Sequence, residues 1–171
     1  FFSLYFNYII TIKKKKEMDK FNQLINELES KITHYKTVNL QVSAGSVGWH
    51  IEHSLKTIDQ IIMACKTSNP NEYKWTFNLK RFIIVDVLNK IPRGKVKAPK
   101  LVRPEGEISK DSLELSLKNI KTNLVAWNQL DKNAFFKHPF FDDLNKKATE
   151  KFLMLHTHHH FKIINDILNA K

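Results

Sequence analysis

Scarcity narrows the possibilities for this chain. One cysteine, Cys65, stands among 171 residues. Neither a disulfide framework nor a cysteine-based zinc site can form within a single chain, which fits a reducing, cytoplasmic setting. Four glycines and five prolines are few, so long uninterrupted elements are expected. Apolar runs are short. The longest mostly apolar stretch, residues 1–12, falls below the roughly 20 residues of a membrane span, and no span is expected. Acidic residues are outnumbered, 17 against 28 basic, for a net charge of +11. Lysines are nevertheless spread over every polar face. A nucleic-acid binder gathers its basic residues on one face, so nucleic acid is not an expected partner.

Residues 1–17 differ from the rest of the chain. An aromatic and β-branched run leads into Lys13–Lys16, and no small-residue cleavage site marks a signal peptide. The expectation is a non-native or disordered N-terminal extension over 1–17, with one domain over 18–171. A membrane-associating anchor is the alternative for the extension.

The domain reads as helices. Phe21, Leu24, Leu28, Ile32 and Tyr35 repeat at helical spacing and predict a helix over 17–36. Val47, Ile51, Leu55, Ile58 and Ile62 predict a second, capped by Ser43 or Ser46 and ended before Pro70. A shorter, less regular helix is expected over 77–89. Three prolines and a glycine between Ile91 and Pro104 make the next stretch an extended crossover. From Lys80 to Arg103 eight basic residues face one acid, Asp86, which suits a solvated loop or an anion-attracting rim. Leu113, Leu117, Ile120, Leu124 and Trp127 predict a helix from Ser109 or Asp111 to Gln129. Residues 131–141 are expected as an aromatic loop, and a last helix is expected from Asp142 to the end. No sustained two-residue alternation points to strands. The fold class is therefore all-α: an antiparallel four-helix bundle with a long crossover and a short extra helix.

Four of the eight histidines lie between His156 and His160. Thr157 interrupts the run, and the amphipathic pattern continues beyond it, unlike a tag. Phe152, His156, His160, Ile163 and Ile167 share one stripe. Two inward imidazoles one turn apart suit a divalent metal better than an apolar core; a hydrogen-bonded pair of core histidines is the bland alternative. A third ligand must come from elsewhere. Periodicity places His50 nearer the second helix's stripe than His53. His34 and His138 are the other candidates, the first suited to the surface and the second to shaping its loop. His158 and His159 suit surface or supporting roles. Cys65 lies about 18 Å along the helix axis from His53, too far to share a site.

Trp49-His50-Ile51-Glu52-His53 with Ser54–Asp59, then Pro92–Pro99, then His138-Pro139-Phe140-Phe141, then His156–His160, resembles the DinB-like metal-binding four-helix bundles, in a branch without a characterised activity. The resemblance covers Met18 to Ala170 and rests on the ordered set of four motifs. It implies a metal site of His53, His156 and His160, because in that pattern an acidic residue follows the ligand histidine by six positions, as Asp59 follows His53. It leaves His50 and His159 as substitute ligands. A Gln that family members often carry three residues past the last ligand is Ile163 here, which puts that residue's role in doubt. The resemblance also implies a bound Zn²⁺, Ni²⁺ or Fe²⁺, and a metal-dependent thiol S-transferase or hydrolase acting on a small molecule, with a thiol among the candidates. A homodimer is compatible with it. No catalytic residue is assigned. A non-catalytic bundle with a structural metal or none is the alternative function.

Overall fold

The computed structural model describes residues 19–94 and 98–170. The extension expected over 1–17, its boundary at Met18, and Lys95–Lys97 of the crossover lie outside the described residues.

The described chain is mainly helical. Helix α1 covers residues 19–30 and gives way to a 3₁₀ turn, Ile32–His34. The single helix expected through residue 36 is thus shorter, and His34 is exposed. Helix α2, Val47–Thr67, starts where the Ser46 hydroxyl accepts from the Trp49 amide. Helix α3, Leu79–Arg81, runs into a π turn, Phe82–Val87. The β-branched run Ile83-Ile84-Val85 is a poor α-helix former, and Asn89, at φ 45°, closes the segment. The crossover comes next, with a 3₁₀ turn at Lys100–Val102. Helix α4, Lys110–Trp127, opens on a reciprocal cap between Ser109 and Ser112. Helix α5 is Lys146–Asn169.

The all-α expectation is corrected between α4 and α5. Strand β1, Phe135–His138, pairs antiparallel with β2, Asp142–Asn145, with Phe136 opposite Leu144. Both of those side chains are buried. Three residues, 139–141, join the strands, and Asp142, the first of β2, lies at φ 59°, a left-handed position that Asp tolerates better than most residues. Asp142 therefore turns the hairpin instead of starting the last helix. That helix begins four residues later, where the Asn145 side chain accepts from the Ala148 amide.

Helix α2 is the centre of the molecule. It packs on both α4 and α5. Ile51, Leu55, Ile58 and Ile62 join Ile25 and Leu28 of α1, Leu113, Leu117 and Ile120 of α4, and Ile164 of α5 in one apolar cluster. Gly48 allows the chain after α1 to approach: a Cβ there would lie 2.9 Å from the Tyr35 carbonyl oxygen and 3.2 Å from Ile108 Cγ2. Burial wraps most of the way round the first half of α2, where His50, His53, Ser54 and Thr57 are buried beside the apolar stripe. The Ser54 and Thr57 hydroxyls satisfy themselves by donating to the carbonyls of His50 (2.8 Å) and His53 (2.7 Å). An amphipathic stripe describes a helix buried on one side, so it understates how far inside His53 lies. Among the described residues, no helix is long and apolar enough to cross a membrane.

Candidate metal centre

Two helices bring the expected ligands together. His53, from α2, meets His156 and His160, one turn apart on α5. Ring centroids are 5.1 Å apart for His53 and His156, and 4.6 Å for His53 and His160 and for His156 and His160. One ligand nitrogen from each ring lies within 4.8 Å of the others, a spacing that a single metal ion can bridge. His53 and His160 are buried and His156 is half-buried.

Hydrogen bonds fix the free nitrogen of His53 and limit His160 to two choices. The Val102 carbonyl, in the crossover, lies 2.8 Å from His53 Nδ1. A carbonyl can only accept, so Nδ1 carries the proton and Nε2 keeps its lone pair. This is the arrangement that orients a metal-binding imidazole. Trp49 stacks on the same ring at 5.1 Å and 18°, holding its plane. For His160, Nδ1 lies 3.0 Å from His50 Nδ1, and His50 Nε2 lies 2.9 Å from Ser43 Oγ. Two proton orders are self-consistent along this row. In one, His160 Nδ1–H donates to His50, and His50 Nε2–H donates to Ser43, leaving His160 Nε2 as a free lone pair. In the other, every donor reverses and His160 Nε2 carries a proton. Only the first order leaves His160 a ligand. Ser43 Oγ already accepts from the Gly45 amide at 3.1 Å and has a second lone pair for His50. His156 Nδ1 is sealed from solvent without a hydrogen-bond partner, a state that costs about 1–3 kcal/mol when nothing compensates it.

The electrostatics agree with neutral, ligand-ready rings. Burial is the main cause that pushes His156 and His160 well below the ordinary imidazole value, with neighbouring histidines adding to it. Burial also lowers His53, opposed by its bond to Val102. His50 is lowered to about 4, by burial first and then by His53, His159 and Arg93. A metal competes with protons for these nitrogens, and the fold has already disfavoured the protons.

The remaining candidates fall outside the triad. His50 stands behind His160. His159 touches His160 edge-on at 5.0 Å. His158 is exposed. His138 stacks on Phe141 at 4.3 Å and accepts from the Phe140 amide at 3.1 Å, so it shapes the hairpin. Asp59 accepts from Asn123 of α4 at 2.8 Å, and Glu52 pairs with Lys56 at 3.1 Å; neither reaches the imidazoles. Cys65 is buried, and its thiol is pushed up to about 11 by burial, so it is no nucleophile.

Sequence reasoning missed two contributors: the Val102 carbonyl and the Ser43–His50 row. The first is main chain and carries no side-chain signal. The second was visible only as His50 lying close to the core stripe. Arg93, in the basic crossover, bears electrostatically on both His50 and His159 and is held by Asp166 at 2.7 Å. Two surface grooves, one lined by Glu29, Lys121 and Val125 and one by Trp75, Asp86 and Lys151, include none of the site histidines.

No family model, curated protein or solved structure matches this chain. Function is therefore read from the site itself.

Proposed function

We propose that this chain is a divalent-transition-metal protein, a DinB-like four-helix bundle in which His53, His156 and His160 bind the ion. The observation that carries the reading is the convergence of three imidazoles with nitrogens available to a metal: His53 Nε2, with Nδ1 held by Val102; His160 Nε2, in the proton order that donates from His160 to His50; and His156, whose Nδ1 is buried without a hydrogen-bond partner. An all-nitrogen set suits Zn²⁺, Ni²⁺ or Fe²⁺ over Mg²⁺ or Ca²⁺. Three protein ligands leave a coordination position for water or substrate. When bound, the ion would supply Lewis acidity that lowers the pKa of a coordinated water or thiol. The chain's own groups do the rest. Trp49 and Val102 fix the His53 plane. The favoured activity is a cytoplasmic thiol S-transferase or hydrolase acting on a small molecule. Both the sequence resemblance and the open ligand position support it.

A second reading has its own observation: the ligands join α2 to α5, so a metal could serve as a staple between them. Elemental analysis of the purified protein tests both, each of which expects one transition ion per chain. Loading with Co²⁺ and adding a low-molecular-weight thiol then separates them. The enzyme reading expects a thiolate-to-metal charge-transfer band. A spectrum insensitive to thiols and anions, with the metal-free chain unfolded, supports the staple. A protein that takes up no transition metal refutes both.

A further inference from the structure

The segment from Lys74 to Lys90 is built inside out. Trp75, Phe77 and Leu79 are 69%, 64% and 60% exposed. Trp75 and Phe77 alternate along a stretch without helix or strand, where alternate residues of extended chain share a side, and Leu79 opens α3. Phe82 stands 6.2 Å from the Phe77 ring, and Ile83 and Val87 come after it, also exposed. Polar groups do the anchoring. The Asn78 amide donates to the Phe140 carbonyl (3.1 Å) and to Asp142 (2.9 Å), and the Arg81 guanidinium donates to the carbonyls of Thr76 and Phe141. Of the helical part, Val85 alone is buried. A water-facing surface ordinarily scatters its large apolar side chains, and a contiguous patch marks an interaction site.

The charge around the patch indicates its partner. Lys74, Lys80 and Lys90 are exposed and make no ion pair among the described residues. The one acid in the stretch, Asp86, is paired with Lys151. Apolar side chains interspersed along the chain with three unpaired lysines, which outnumber the Asp142 carboxylate held by Asn78, match a surface that is apolar beneath and negative above. A second copy of the chain fits poorly, because a two-fold contact would bring together two patches that both carry unpaired lysines. Single-stranded nucleic acid would stack on Trp75 and Phe77, but it has no use for Leu79, Ile83 and Val87. We infer that this face docks on an anionic lipid surface, with Trp75, Phe77 and Leu79 entering the boundary between headgroups and acyl chains and the lysines resting on the headgroups.

The test uses the full chain and vesicles of phosphatidylcholine with or without phosphatidylserine. Cosedimentation is expected with the anionic vesicles only and is expected to weaken with salt. Tryptophan emission should shift to the blue on binding, because Trp127 is buried, Trp49 is half-buried against His53 and Trp75 is the exposed reporter of the three. Phe77→Ser with Leu79→Ser should abolish the shift while circular dichroism stays unchanged. Lys74→Ala and Lys80→Ala should each lower the partition coefficient about five-fold. Any of four results overturns the proposal: no binding; equal binding to neutral vesicles; binding undiminished by these substitutions, which would place it elsewhere in the chain; or a dimer or nucleic-acid complex that the Phe77→Ser variant loses.

Discussion

Replacing His53 by alanine tests the metal centre most directly, because its two effects can be separated. The ring is 3% exposed, donates to Val102 at 2.8 Å and stacks on Trp49 at 5.1 Å. Without metal, losing it should cost about 2–5 kcal/mol through the cavity and the unpaired carbonyl. The second effect appears only when metal is added. A ligand that binds only the folded state stabilises it by about 2.7 kcal/mol at a hundredfold excess over its Kd. In a chain of this size that raises Tm by roughly 5–11 °C. In the variant the two remaining ligands both come from α5, and nothing on α2 completes the site. A loss of about 100-fold in affinity at the same metal concentration leaves a gain of roughly 0.4 kcal/mol, on the order of 1 °C. Calorimetry on chelator-treated wild type and His53→Ala, each with and without Zn²⁺, measures both effects. Comparing the two metal-induced shifts cancels the variant's baseline loss. Equal shifts in the two proteins, or none in the wild type at millimolar zinc, would refute the assignment.

Three further outcomes are expected. If His160 Nδ1–H donates to His50, His50→Ala removes no ligand but takes away that acceptor, so metal affinity in a chelator competition should fall about 10–100-fold; an unchanged affinity would reject that proton order for the Ser43–His50–His160 row. Gly48→Ala should destabilise by about 1–3 kcal/mol in urea titrations despite alanine's better helix propensity, because the new Cβ meets the Tyr35 carbonyl oxygen at 2.9 Å; a stabilised variant would show that α1 and α2 can separate freely. Acid should unfold the metal-free protein in a defined window. His50, His138 and His159 are each lowered from 6.5 to about 4, mainly by burial, so the unfolded chain binds more protons between those values. Their contribution is complete above pH 6.5 and is lost as pH falls through 4. A urea midpoint that stays flat from pH 6.5 to 4 would contradict it.

Spacing alone determined the long helices and the inward pair His156 and His160, because a 3.6-residue repeat sustained over five turns has one physical meaning. Ser46 and Ser109 could be read as caps for the same reason: the signal lies within one turn of the site it marks. The hairpin was not legible. Four-residue strands are too short to display an alternation, and the aromatic run from Phe135 to Phe141 fits either a loop or a strand. Whether Asp142 capped a helix or turned a hairpin depended on a backbone angle that only the packing of Phe136 against Leu144 selects. The third ligand was likewise a tertiary matter. Periodicity preferred His50, and the resemblance preferred His53. The structure brings His53 to the pair because α2 is enclosed on more than one side, by α5 and by the crossover carbonyl of Val102. It also gives His50 a place behind His160. The sequence by itself determined which residues could serve as ligands. Which nitrogens face one another, and which are already engaged, was decided by contacts between segments 49 and 110 residues apart, a separation at which no local pattern carries information.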